Sequence, residues 1–163
     1  MKCKALVLTV ILSAAATVNL HSLGLGAQFN FNTGKVFAPG AALLISPSNI
    51  THLAVNWYLL SEEHTNSIGL TLDVVPLTLP LSNFTAGSFN LTLGVGFYFN
   101  VVFTDNPINL GLRIPIGMNV LLAKNVFEVF FHVAPSFGVG FIPSLDLTDP
   151  FFPLALGARL WFR

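Results

Sequence analysis

Large apolar residues alternate with small or polar residues along most of this chain. From Leu110 to Val120 every second residue is large and apolar, and the positions between are glycine, proline, asparagine or arginine. The segments that begin at Ser88 and Phe127 repeat this pattern, with phenylalanine and valine on the large face. A period of two places the two sets of side chains on opposite faces of a β-strand.

The same alternation predicts eight strands. They run from Leu23 to Phe31, Val36 to Ile45, Thr51 to Leu60, Ile68 to Val75, Ser88 to Val101, Leu110 to Leu122, Phe127 to Phe141 and Phe152 to Phe162. The residues between them are rich in Gly, Pro and Asn, which favour chain reversal. From Leu77 to Gly87 the pattern assigns no strand, and we expect a connection there that carries short extra structure.

The connections at one end of these strands are expected to be four short surface loops. They lie near residues 33–35, 61–66, 104–108 and 142–151. Aromatic residues near the strand ends, Tyr58 and Trp161 among them, are expected to form girdles at the two membrane interfaces.

The composition indicates whether the face of large apolar side chains, the large face, meets water or hydrocarbon. Of the 163 residues, 53% are hydrophobic and 9% are charged, and the mean hydropathy is +0.74. Soluble domains carry roughly 25% charged residues, so hydrocarbon is a better match than water for the large face. The formal net charge is zero and no cluster of Lys and Arg exists, which excludes nucleic acid as a partner.

Lipid offers no hydrogen bonds to an open sheet edge, so a sheet that spans a membrane must close on itself. We therefore predict an all-β fold, an eight-stranded antiparallel up-and-down transmembrane β-barrel with its large side chains outward. A secreted β-sandwich or a lipid-carrier barrel is the alternative, because soluble antiparallel sheets also alternate.

Residues 1–22 have the layout of a secretory signal peptide. Two lysines precede the apolar stretch from Ala5 to Ala16, and small residues follow. Cleavage is expected after Ser22 or after Ala16, and the first choice leaves residues 23–163 as the barrel domain. An N-terminal membrane helix is the alternative, although the stretch is shorter than the roughly 20 residues that a helical span needs.

The end of the chain carries a more specific pattern. Gly157, followed by the apolar residues Leu160 and Phe162, resembles the terminal assembly signal of the small eight-stranded outer-membrane barrels of diderm bacteria. That class includes the membrane domain of outer-membrane protein A and the OmpX and OmpW barrels; its members usually end on an aromatic residue, whereas Arg163 follows here. The resemblance covers essentially the whole exported chain. It implies an outer-membrane location, contact with outer-membrane lipid and recognition by the barrel-assembly machinery.

Several polar residues fall in the lumen phase. The charged ones are Asp73, Arg113, Glu128 and Arg159, and Tyr98, Asn100 and His132 share that phase. An unpaired charge in a narrow interior is costly, so we expect a paired network with a contact between Glu128 and Arg159. Arg113, beside Tyr98 and Asn100, would belong either to a structural plug or to the selectivity element of a small pore.

Proline and glycine add two further expectations. Pro115 and Pro135 each remove a donor from the ladder, which predicts a bulge or an opening between the sixth and seventh strands. The glycines of the lumen face either leave room for a pocket or permit close backbone approach.

These observations favour a structural barrel or a narrow passive channel for small solutes. A barrel that binds or passes a small apolar ligand is the alternative, and a lipid-modifying barrel enzyme is a third hypothesis. No residues stand at the spacing of a catalytic set or of metal ligands, so we expect no catalytic residue, no metal and no cofactor.

Overall fold

One antiparallel sheet of ten strands makes up the fold in a computed structural model that describes residues 22–33, 39–58, 67–103, 108–141 and 145–162. The strands are β1 (Leu23–Thr33), β2 (Gly40–Ser46), β3 (Thr51–Tyr58), β4 (Ser67–Phe84), β5 (Gly87–Val102), β6 (Ile108–Arg113), β7 (Ile116–Leu122), β8 (Phe127–Val133), β9 (Ser136–Phe141) and β10 (Leu145–Phe162). Within these ranges no helix is long and apolar enough to cross a membrane. The predicted signal segment lies almost entirely in residues 1–21, outside the described residues.

The ten strands form a closed ring of eight. β6 and β7 both pair with β5, and β8 and β9 both pair with β10, so each of these pairs is one long strand interrupted in the middle. β1 pairs with β10 from Leu23 opposite Phe162 to Thr33 opposite Phe152, which closes the sheet. The predicted eight-stranded antiparallel up-and-down barrel is therefore confirmed.

The strands are strongly tilted. A circuit of paired residues that begins at Gly26 crosses the sheet and ends at Thr148. Gly26 itself pairs with Arg159, which lies eleven positions further along β10 than Thr148. One of these positions is the extra residue of the bulge in β10. The ring therefore closes with a stagger of about ten residues, and a closed barrel requires such a stagger.

The two rims of the barrel differ. One rim, which we call the turn end, carries Leu23, Phe162 and the short turns at residues 47–50, 85–86 and 123–126. The other rim, the loop end, carries the connections at 34–38, 59–66, 104–107 and 142–144, which are outside the described residues. Most of the predicted surface loops fall in those connections.

The large apolar side chains face outward and the small and polar ones face the lumen. Phe29 is 66% exposed, Val95 61% and Phe97 57%, whereas Asn56 is 1% exposed and Asn100 2%. Leaving a Leu or Phe in water costs about 1.5–3 kcal/mol relative to burying it, so this exterior is suited to an apolar solvent. The predicted assignment of the two faces is confirmed.

Two strands are longer than the alternation predicts. β4 continues to Phe84, and β10 begins at Leu145, inside the segment expected to be a surface loop. The register shifts at two places in β4, between Val74 and Leu77 and between Pro80 and Ser82, and at one place in β10, between Thr148 and Phe151. An extra residue at each bulge moves the apolar positions from even to odd numbers or back, so the outer face stays apolar although the sequence phase changes.

Pro115 and Pro135 interrupt the ladder without a bulge or an opening, so that prediction is wrong. Arg113 pairs with Ser136 on one side of the interruption and Ile116 with Val133 on the other, in the same register. The amide of Ile114 donates to the carbonyl of Pro135 at 2.9 Å, which keeps the two strands together. A proline lacks only the donor, and its carbonyl still accepts.

Candidate functional site

The lumen near the turn end is organised around the carboxylate of Glu128. Arg159 Nη1 lies 3.4 Å from Glu128 Oε2, so the expected contact between these residues is present. Asn119 Nδ2 donates to Oε1 at 2.7 Å and Trp161 Nε1 donates to Oε2 at 2.8 Å. The register places Arg159 directly opposite Glu128 on neighbouring strands, which explains why these two side chains meet.

Arg159 has further contacts besides Glu128. Its Nη1 donates to His52 Nδ1 at 2.9 Å, and since arginine has donors only, that ring nitrogen acts as the acceptor. The guanidinium carbon lies 4.8 Å from the ring centroid of Phe130 and 5.3 Å from that of Trp161, in the range of cation–π contacts. Arg159 is only 5% exposed, so these partners offset much of the cost of burying its charge.

A second charged group lies higher in the lumen. Arg113 Nε is 3.2 Å from Asp73 Oδ1, and Arg113 Nη2 donates to His132 Nε2 at 3.2 Å. The ring of His132 stacks on Phe130 with centroids 5.8 Å apart, which connects this group to Arg159. All four predicted lumen charges are thus buried in two adjacent ion pairs.

Side-chain amides fill another part of the lumen wall. Gln28 Nε2 donates to Asn30 Oδ1 at 2.7 Å, and Asn30 Nδ2 donates to Asn56 Oδ1 at 2.8 Å. These residues lie on β1 and β3 and are all buried. A chain of satisfied amides across a narrow interior holds its strands in a fixed arrangement.

Toward the loop end the lumen is filled by aromatic side chains. Tyr58, Tyr98 and Phe151 form a buried cluster, and the rings of Tyr98 and Phe151 meet edge to face with centroids 5.4 Å apart. A Cβ added at Gly111 would lie 2.6 Å from Tyr98 Cε1, and one added at Gly138 would lie 2.5 Å from its hydroxyl. These two glycines therefore accommodate a ring, and the space they leave is not an empty pocket.

Asn100 lies beside this cluster and is buried. Neither atom of its side-chain amide has a hydrogen-bond partner among the described residues. The adjoining cavity, which Arg113 and Ser136 also line, measures only about 10 Å3, close to the space of a single water molecule. Asn100 is thus placed beside a constriction.

A larger cavity lies at the turn end. Its volume is about 340 Å3, and residues of the turns at 47–50 and 123–126 line its mouth. Arg159, Glu128, His52, His132 and Trp161 line its interior. The lumen therefore has an accessible polar half at the turn end and a filled half at the loop end.

Some of these residues were not predicted from the sequence. Tyr58 and Trp161 were expected in interfacial girdles, but they are 9% and 5% exposed and point into the lumen. Their position could have been found from the phase of their strands, because Trp161 follows Arg159 by two residues and Tyr58 follows Asn56 by two. No such local signal indicates His52 as a partner of Arg159, since the two residues are 107 positions apart in sequence.

The residues of the predicted assembly signal divide between the two faces of β10. Leu160 and Phe162 face outward and are 48% and 54% exposed. Gly157 faces the lumen, where an added Cβ would lie 2.5 Å from Phe130 Cζ. Gly157 therefore has a packing role beneath Phe130.

No family model matches the sequence, and no curated protein matches it. One solved structure that the chain resembles is Ail, the attachment invasion locus protein of Yersinia pestis. The two chains are 13% identical, the match covers 86% of this chain and 95% of that one, and the TM-score is 0.31.

In the part of the chain that the structure describes, no group of three or more His, Cys, Asp or Glu side chains could hold a metal ion.

Proposed function

We propose that this protein is an integral β-barrel of the outer membrane of a diderm bacterium, with a structural role and with a lumen closed to the passage of solutes. The observation that carries the proposal is the inverted distribution of side chains, with large apolar residues on the exterior of a closed ring and ion pairs and amides inside it. A closed ring leaves no sheet edge in hydrocarbon, as a membrane requires.

Two features support a closed lumen over the narrow passive channel that is its main competitor. The aromatic cluster of Tyr58, Tyr98 and Phe151 fills the loop end, and the space beside it is about 10 Å3. Below that cluster, the buried ion pair of Asp73 and Arg113 spans the width of β5 on the lumen side of the wall. A steady ion path would have to displace both.

The outward positions of Leu160 and Phe162 support insertion by the barrel-assembly machinery. A partner that recognises the last strand from outside the ring would contact these two side chains and not Gly157. In a diderm host, Phe162→Ser is expected to lower the amount of folded barrel in the outer membrane. Val126→Ser, another exposed apolar position outside the last strand, is the matched control and is expected to leave that amount unchanged.

Membrane fractionation combined with gel electrophoresis tests the location. The protein is expected in the outer-membrane fraction and, after extraction with detergent, to migrate faster unheated than boiled, because a closed barrel resists unfolding by the detergent. Recovery in the soluble periplasmic fraction would refute the proposal.

Planar-bilayer recording tests the closed lumen. The wild-type barrel is expected to give no steady conductance. Tyr98→Gly, which removes the ring from above Gly111 and Gly138, is expected to give steady current steps. Stable ion steps from the wild-type protein would favour the passive channel.

A further inference from the structure

The carboxylate of Asp73 is buried without a hydrogen bond. Asp73 is 7% exposed, and its Oδ1 and the Nε of Arg113, although 3.2 Å apart, both remain without a hydrogen-bond partner. No described residue donates to Oδ2 either, and Oδ2, unlike Oδ1, is not shielded from solvent. A buried carboxylate normally accepts hydrogen bonds, because its charge is costly to remove from water. Asp73 therefore brings an unused acceptor to the lumen.

Glu128, the other carboxylate of the lumen wall, is already satisfied. Asn119 donates to its Oε1 and Trp161 donates to its Oε2. Arg159 lies 3.4 Å from Oε2 and balances the charge. The difference between the two carboxylates identifies Asp73 as the one that accepts hydrogen bonds from a further partner.

The accessible oxygen of Asp73 faces the turn-end cavity. Asp73 lines that cavity and not the small one beside Asn100, whereas Arg113 lines only the small one. A molecule in the turn-end cavity thus meets the carboxylate of this ion pair and not its guanidinium. The cavity volume of about 340 Å3 is at the lower end of the range of sites that hold small organic molecules, roughly 300–1,000 Å3.

The charge of the cavity lining favours a cation. The charged residues that line it are Asp73, Glu128 and Arg159, two negative and one positive, which gives a formal charge of −1. The histidines of the lining add no charge. His52 and His132 each accept a hydrogen bond from an arginine, and a histidine that accepts through a ring nitrogen is neutral.

The remainder of the lining supplies a second acceptor and an apolar surface. Thr71, two residues before Asp73 on the same face of β4, brings a hydroxyl group. Leu44, Val75 and Leu121 line other parts of the wall. A ligand with a cationic head and an apolar body would match both parts of this lining.

We propose that the turn-end cavity binds a small organic ammonium ion. The N–H groups of the ion donate to Asp73 Oδ2, and its apolar body packs against the aliphatic part of the wall. This site goes beyond the structural role proposed above. It does not form a channel, because the aromatic cluster still fills the loop end.

Three probes of similar size test the charge of the ligand. Benzylamine is protonated at neutral pH, and benzyl alcohol and benzoate are its neutral and anionic counterparts. Calorimetric titration of the wild-type barrel in a non-ionic detergent is expected to show saturable binding of benzylamine. Benzyl alcohol is expected to bind at least about tenfold more weakly, and benzoate more weakly still. No saturable binding of benzylamine, or equally tight binding of either counterpart, would overturn the proposal.

Two double substitutions locate the site, and each removes one positive and one negative group from the lumen. Asp73→Asn with Arg113→Gln is expected to weaken benzylamine binding at least about tenfold. Glu128→Gln with Arg159→Gln, the matched control at the other ion pair, is expected to weaken it less than about threefold. An equal loss in the two variants would refute the assignment to Asp73.

Folding of each variant is checked by its heat-modifiable migration. If the first double variant does not fold, Asp73→Asn alone replaces it, because asparagine keeps the shape of the side chain and loses its charge; a loss of about tenfold is again expected. Unchanged affinity in that variant would contradict the proposal. If neither variant folds, the comparison of benzylamine with benzyl alcohol on the wild-type barrel decides. Because binding is measured in detergent, its failure would leave the proposed location and the closed lumen standing, and the reverse also holds.

Discussion

Arg113 reaches Asp73 across Gly96. Arg113 Nε lies 3.2 Å from Asp73 Oδ1 although β5 separates the strands that carry them. Gly96 pairs with both residues, and a Cβ added there would collide with the Asp73 carboxylate. The missing side chain at position 96 thus makes room for the ion pair.

We predict that Gly96→Ala displaces Asp73 and breaks this pair. Breaking a buried ion pair costs about 3–5 kcal/mol, so the barrel should lose its fast-migrating folded form at a clearly lower temperature. Gly94→Ala is the matched control, because an added Cβ there meets the β4 backbone as closely as one at Gly96 does, but meets no charged side chain. Equal melting of the two variants would show that Gly96 is not required by the ion pair.

Of the side chains that meet at the Glu128 carboxylate, Glu128 itself is expected to be the one whose substitution lowers the stability of the barrel most. Glu128→Ala leaves Arg159, Asn119 and Trp161 without their shared acceptor, and such a loss costs about 3–5 kcal/mol. Trp161→Phe removes one donor and some packing, and should cost about 1–3 kcal/mol. Denaturant unfolding of the reconstituted barrel measures both, and a loss in Glu128→Ala no larger than in Trp161→Phe would contradict the network.

A row of three prolines crosses neighbouring strands of the barrel wall. Gly94 donates to the carbonyl of Pro115, Ile114 to that of Pro135 and Ala134 to that of Pro153, at 2.8, 2.9 and 2.8 Å. Because a proline donates nothing in return, each of these pairs has one hydrogen bond in place of two.

We therefore predict faster amide hydrogen exchange along this row. The amides of Ile114 and Ala134 should exchange measurably faster than those of Ala54 and Val55, which lie in an uninterrupted part of β3. Exchange followed by NMR in detergent tests this. Equal protection at all four amides would indicate that single hydrogen bonds hold the wall as firmly as paired ones.

Strict alternation was enough to predict the ring of eight and the orientation of its faces. It failed where the phase changes, at Val75 and Pro76 in β4 and at Asp149 and Pro150 in β10. A bulge there adds one residue to one strand only, and the sequence of that strand then looks like the end of a strand. The alternation therefore assigned these extensions to connections.

The contacts inside the lumen were predictable to different degrees. Glu128 and Arg159 are directly opposite each other on neighbouring strands, so their contact follows from strand order and distance to the rim. Asp73 and Arg113 both pair with Gly96, so their contact also follows from local strand order and register. The contact of Arg159 with His52 depends on the stagger of the whole ring and on which side chains meet in the lumen. Those quantities arise only when the barrel closes.

The central claim, that the apolar face meets lipid while the lumen is shielded from it, is tested most directly with the two tryptophans. Single-tryptophan variants, Trp161→Phe and Trp57→Phe, are reconstituted in vesicles of phosphatidylcholine whose acyl chains are brominated, since bromine quenches indole only on contact. We predict that Trp57, 58% exposed on the outer face, is strongly quenched and that Trp161, 5% exposed in the lumen, is not. Strong quenching of Trp161 together with an unquenched Trp57 would contradict the account.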